Sequence, residues 1–83
     1  MQRMAILRLF AAAREAAGTG STEIDGATVG DVLARAESEF GSVFRDVLPS
    51  CRIWVNGEPA DPATAVGDRD EVAVLPPVSG GSE

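Results

Sequence analysis

The sequence has no histidine, no tyrosine and no lysine, and it contains one cysteine, Cys51. Without imidazole there is no general base of the usual kind, no Ser–His–Asp or Cys–His arrangement, and almost no transition-metal site, so no metal is expected. Gly18-Thr19-Gly20 is no phosphate loop, since it lacks the preceding strand, the spacing and the lysine. A lone cysteine cannot close an internal disulfide, which points to a reducing, cytoplasmic compartment. Alternation places Cys51 beside Ile53 and Val55 on one strand face, the setting of a structural thiol rather than a reactive one, which needs positive, partly exposed surroundings. Carboxylates are plentiful, but none is paired in an apolar setting that would split two pKa values. No apolar run approaches ~18 residues, so no segment spans a membrane. The start, Met1 to Arg8, carries charge within its apolar stretch and has no small-residue cleavage site, so it is not read as a signal peptide. A free-standing enzyme is not expected.

What is present is acid. Thirteen Asp and Glu against seven arginines give a net charge of −6 and a pI near 4.4. That balance excludes nucleic acid and anionic membrane as main partners, since both demand clustered positive charge. Glu58, Asp61, Asp68, Asp70 and Glu71 lie close together in sequence, offset there by Arg69 alone. They form either a solvated face or a surface that speeds encounter with a basic protein. Eighty-three residues, 45% of them apolar, make one domain. A chain this short buries only roughly 60–65% of its unfolded surface, so a site shared with a partner is expected rather than a deep private one.

The hydrophobic pattern orders the elements. Met4 to Phe10 alternates as a strand, with Leu7 and Leu9 on one face and Ile6, Arg8 and Phe10 on the other. Ala11 to Ala17 reads as a short helix stopped by Gly18, and Ser21 to Asp25 as a second strand. Thr28 caps the clearest helix, with Asp31 as the reciprocal acceptor. Val29, Val32, Leu33, Ala36 and Phe40 form its core stripe, and Gly41 ends it. A helical turn over Val43 to Leu48 stops at Pro49. Cys51 to Val55 is a strand turning at Asn56-Gly57 into a short return, and Glu71 to Leu75 is the last. One main helix packed across a mixed sheet of four to five strands is an α+β, ubiquitin-like β-grasp. Residues 1–75 form that domain and 76–83 an extended tail.

Two features remain for function. The strand face turned away from the helix should hold Phe10, Trp54, Ala73 and Leu75 with Arg8 and Arg52; aromatics and arginine are enriched at interface cores, so this is a candidate partner-binding face, against the alternative of scattered surface hydrophobics. The tail, Pro76-Pro77-Val78-Ser79-Gly80-Gly81, starts with two prolines that cannot donate to a ladder and hold an extended exit. It ends in glycines, whose lack of Cβ suits a narrow channel. Six extended residues reach at most about 20 Å, enough to deliver a carboxyl into another protein's active site. A Gly-Gly end on its own is commonly a frayed terminus.

Leu9-Phe10-Ala11, Arg14-Glu15, Gly18, Thr28-Val29, Val55-Asn56-Gly57, Asp70-Glu71-Val72-Ala73 and Leu75-Pro76-Pro77-Val78-Ser79-Gly80-Gly81 together resemble the MoaD/ThiS-type ubiquitin-like sulfur carriers. The resemblance covers nearly the whole chain and is nearest to MoaD, the small subunit of molybdopterin synthase. It implies that a MoeB-like, ubiquitin-activating-like adenylyltransferase converts the Gly81 carboxyl to an acyl adenylate, which a sulfur donor turns into a thiocarboxylate (1-thioglycine). The tail then enters the MoaE-like large subunit, where sulfur passes to a pyranopterin in molybdenum cofactor biosynthesis. No cofactor is bound, and the catalytic groups belong to the partner.

The chain departs from that pattern by continuing to Ser82-Glu83. Either a processing peptidase removes these residues, or they are tolerated or foreign to the native end, or the protein docks on partners without carrying sulfur. Two other functions stay open: a carrier feeding cysteine or thiamin synthesis, and a ubiquitin-like interaction module without tail chemistry.

Overall fold

A computed structural model describes residues 4–76. The elements run β1 (Met4–Leu9), α1 (Ala11–Ala17), β2 (Ser21–Asp25), α2 (Val29–Phe40), α3 (Ser42–Val47), a 3₁₀ turn (Leu48–Ser50), β3 (Arg52–Val55), β4 (Glu58–Pro59) and β5 (Glu71–Leu75). The five strands form one mixed sheet in the order β2-β1-β5-β3-β4. β1 and β5 are parallel neighbours at its centre, and every other pairing is antiparallel. One sheet face is covered by helices, so the expected α+β β-grasp is observed.

Alternation along the strands sends Ala5, Leu7, Leu9, Val72 and Val74 into the core. The stripe of α2 meets them: Val29, Val32 and Ala36 are fully buried, and Leu33 and Phe40 pack partly buried at the margin. The largest fully buried side chain is Phe44 of α3, stacked edge-on to Phe40 with ring centroids 5.3 Å apart. No polar or charged residue among those described is buried. No helix among them is long and apolar enough to cross a membrane.

The start of α2 is capped more fully than the capping pattern implied. Thr28 Oγ1 accepts from Asp31 N at 3.1 Å, but the Asp31 carboxylate turns back one residue further than expected, to Ala27 N at 3.2 Å. The loop from Asp61 to Val66 then straps the helix end, with Val29 N donating to Thr64 O and Gly30 N to Pro62 O, each at 2.9 Å. The backbone donors that a helix N-terminus leaves open are thereby used internally, and this end of α2 is no anion site.

Several boundaries differ from the sequence reading: β1 ends at Leu9 rather than Phe10, and α3 spans Ser42–Val47 rather than Val43–Leu48. Pro49 does not stop the helical run but lies inside the 3₁₀ turn, in its first positions, where a missing N–H costs nothing. Cys51 precedes β3 rather than opening it; its Sγ donates to Val47 O at 3.4 Å, it is half-buried, and burial pushes its thiol up from the ordinary value. That is the structural thiol expected, held by the turn before the strand.

Candidate partner face and the base of the tail

The other sheet face is open, and register decides what it shows. Arg8 lies beside Ala73, Ala73 beside Trp54, and Trp54 beside Pro59, forming one row across the sheet. One pleat further along β5, Leu75 lies beside Arg52. Phe10 follows β1 and prolongs it: its N–H donates to Val74 O at 3.3 Å, and its carbonyl accepts from Ala13 N and Arg14 N at the start of α1. Between those anchors the chain turns sharply at Ala11, whose φ of 50° lies in the left-handed region, costly for a residue with a Cβ. Phe10 is thus held on both sides, and the residue is 39% exposed at the edge of the face.

These residues enclose an open groove of about 500 Å³. Phe10, Trp54, Ala73, Leu75 and Pro76 supply the apolar lining, and Arg52, Gly57 and Glu71 form the rim. Trp54, Ala73 and Leu75 are half-buried by their neighbours, whereas Arg52 is exposed. Arg8 stands outside the groove, its Nη1 3.8 Å from Glu71 Oε2. All five residues assigned to the face from sequence (Phe10, Trp54, Leu75, Arg8 and Arg52) therefore share it, four of them around one groove. Gly57 and Glu71 were not assigned to it. For Glu71 the signal was available: it stands two residues before Ala73, and strand alternation puts both on one side.

The floor of the groove is tied to the turn beneath it. Asn56 and Gly57 both have positive φ, 51° and 86°, the backbone that an Asn-Gly hairpin turn requires. The Asn56 side chain donates through Nδ2 to Asp70 at 3.2 Å and accepts through Oδ1 from Glu71 N at 2.9 Å. Asp70 also accepts from Gly67 N at 2.7 Å. The Gly67 amide, and then the Asn56 amide, hold the Asp70 carboxyl below its ordinary value. Asp61 likewise accepts from Ala63 N inside the strap. Part of the acidic run is therefore structural, with Asp61 and Asp70 each fixing a loop.

Of the tail, Pro76 lies within the described residues and lines the groove. Pro77, Val78, Ser79, Gly80 and Gly81 lie outside them. Among the described residues no three His, Cys, Asp or Glu side chains gather as a metal site would require.

The chain matches the ThiS family over residues 7–81. It is 41% identical to small archaeal modifier protein 3 of Haloferax volcanii, in an alignment covering 90% of this chain and 96% of that one. Among solved structures, it is similar to SAMP1 from Haloferax volcanii at a TM-score of 0.82 and 32% identity, covering 94% of this chain and 99% of that chain. It is also similar to a Pyrococcus furiosus protein named for subunit 1 of molybdopterin converting factor, at a TM-score of 0.80 and 27% identity, over 90% of this chain and 98% of that chain. The chain belongs to the ThiS family, the small ubiquitin-like sulfur carriers and modifiers of ThiS/MoaD type.

Proposed function

We propose that this protein carries sulfur as a thiocarboxylate on Gly81 and acts as the small subunit of a molybdopterin synthase. The observation that carries the reading is the position of the tail's base. Leu75 and Pro76 form part of the wall of the one groove whose lining is mainly apolar among the described residues, so a protein that grips this groove holds the tail at its root. From there Gly81 lies at most about 17 Å away along an extended chain, within reach of a catalytic pocket in the same partner. The run Leu75-Pro76-Pro77-Val78-Ser79-Gly80-Gly81 supports the molybdopterin branch, as does the Pyrococcus furiosus relative named for that system.

The chemistry follows from what the chain lacks. A carboxylate is a poor electrophile, so a MoeB-like adenylyltransferase first replaces pyrophosphate on ATP with the Gly81 carboxyl. A sulfur donor then displaces AMP, leaving a soft, anionic thiocarboxylate. A MoaE-like large subunit supplies the catalytic groups and the pyranopterin acceptor. This reading requires the Gly81–Ser82 peptide bond to be hydrolysed first, because a Gly81 carboxyl held in an amide cannot be adenylated.

A second reading is a modifier whose Gly81 is joined to an amine on another protein; the 41% identity to small archaeal modifier protein 3 favours it. Intact-mass spectrometry of the protein from its own cell tests both. Loss of Ser82-Glu83, followed by the gain of one sulfur for one oxygen with ATP, adenylyltransferase and sulfur donor, supports the carrier. Protein adducts through Gly81 without activity in a reconstituted synthase support the modifier. A full-length mass with no change under activation overturns both.

A further inference from the structure

Seven arginines and no lysine supply the positive charge of the chain. At three of these positions the fold does not demand that choice. Arg8, Arg35 and Arg45 each approach a carboxylate oxygen at 3.8, 3.8 and 3.6 Å from well-exposed positions. An ammonium serves a one-point contact as well, since the guanidinium's advantage lies in two-point geometry. The two groups differ in reactivity. A guanidinium stays protonated and offers no lone pair, whereas a lysine passes readily through its neutral, nucleophilic amine. The difference matters where an electrophilic acyl group is near. Under the reading above, on which this inference rests, the tail becomes one.

Position sharpens the point. Arg52 is the cross-strand partner of Leu75, one residue before Pro76, so it stands beside the root of the tail. Gly81 is five residues from Pro76, at most about 17 Å along an extended chain, so position 52 lies within that span. The competing thiol, Cys51, is half-buried, bonded to Val47 O and pushed towards its protonated form by burial. Because β1 and β5 run parallel, Met4 lies at the opposite end of the sheet from Pro76.

We propose that Arg52 provides a cation at the root of the tail while withholding an amine, so that the activated Gly81 acyl group is kept for an acceptor outside this chain. The reaction avoided is ordinary aminolysis. An amine nitrogen adds to the Gly81 acyl carbon, AMP leaves with the electron pair of the acyl–oxygen bond, and a proton passes to water, leaving an amide. With lysine at 52 that product would be a closed loop and the carrier would be lost.

The test uses the chain ending at Gly81, which retains every residue of the described fold. It is incubated with adenylyltransferase and Mg–ATP without sulfur donor, and read by pyrophosphate release and intact mass. The wild type is expected to form adenylate and return to the acid, with no species lighter by one water. Arg52→Lys is expected to accumulate a monomer lighter by one water, about tenfold or more above wild type and independent of protein concentration, as an intramolecular reaction requires. Arg35→Lys, whose ion-pair partner Asp25 lies opposite Met4 at the far end of the sheet, should give only concentration-dependent dimers. Arg52→Lys without water loss, or wild type losing water equally, overturns the proposal. No pyrophosphate from any variant refutes the carrier reading. The same chains prepared as C-terminal thioesters then test the inference alone, because aminolysis at a lysine needs no enzyme.

Discussion

Gly26 shows how much one absent carbon can carry. A Cβ placed there would meet Val32 Cγ2 at 2.8 Å and Val32 N at 3.0 Å, where α2 passes over the end of β2. Gly26→Ala should therefore cost about 1–3 kcal/mol by overpacking, seen as a lowered denaturant midpoint with an unchanged slope. The sequence offered Gly26 only as a strand terminator; its role depends on how close α2 comes, which no local pattern records. Asp70 makes a second case. Its carboxyl is depressed by hydrogen bonds that favour the ionised form, so its contribution is fully present above its ordinary value of 3.8. That contribution is lost as pH falls through the lower folded value. Asp70→Asn should be less stable than wild type at neutral pH, and the gap in Tm should close as thermal melts are taken below about pH 4.

Among the elements, legibility follows periodicity. α1, β2 and β5 begin and end where alternation, alanine content and glycine caps place them, and the stripe of α2 is the stripe that is buried. α3 was legible as a helical turn but not as a core element, because six residues are too few for an amphipathic period to stand out. Its Phe44 is nonetheless fully buried in the core, edge-on to Phe40. Phe44→Ala is expected to cost about 3–5 kcal/mol, more than any substitution on the open face, measured by chemical denaturation. The strap from Asp61 to Val66 was legible only as a loop. Its bonds to Val29 and Gly30 join residues more than thirty positions apart in sequence, a pairing that composition cannot reveal.

For the molecule as a whole, the candidate face was readable from strand parity alone, since Phe10, Trp54 and Leu75 fall on one side once Leu7, Val72 and Val74 fall on the other. The groove was not, because it needs the sheet order that sets β5 between β1 and β3. Trp54 lines it, a half-buried aromatic of the kind that dominates binding energy. Under the proposed function, Trp54→Ala should weaken binding to an adenylyltransferase by about tenfold or more, measured by calorimetry, while the far-ultraviolet circular dichroism spectrum stays that of the folded protein. Arg45→Ala, in an exposed ion pair on α3, should leave binding unchanged.

The parallel pairing of β1 with β5 also bears on synthesis. The last strand is the central one, so until residues 71–75 leave the ribosome the sheet consists of two separate halves, β2-β1 and β3-β4, with no common neighbour. Closing it joins the two ends of the chain, the kind of long-range contact that forms late in folding. A chain truncated before Glu71 therefore cannot assemble the groove, which β5 completes. On the proposed carrier function, an activating enzyme that reads this face would meet it only on chains that have completed β5.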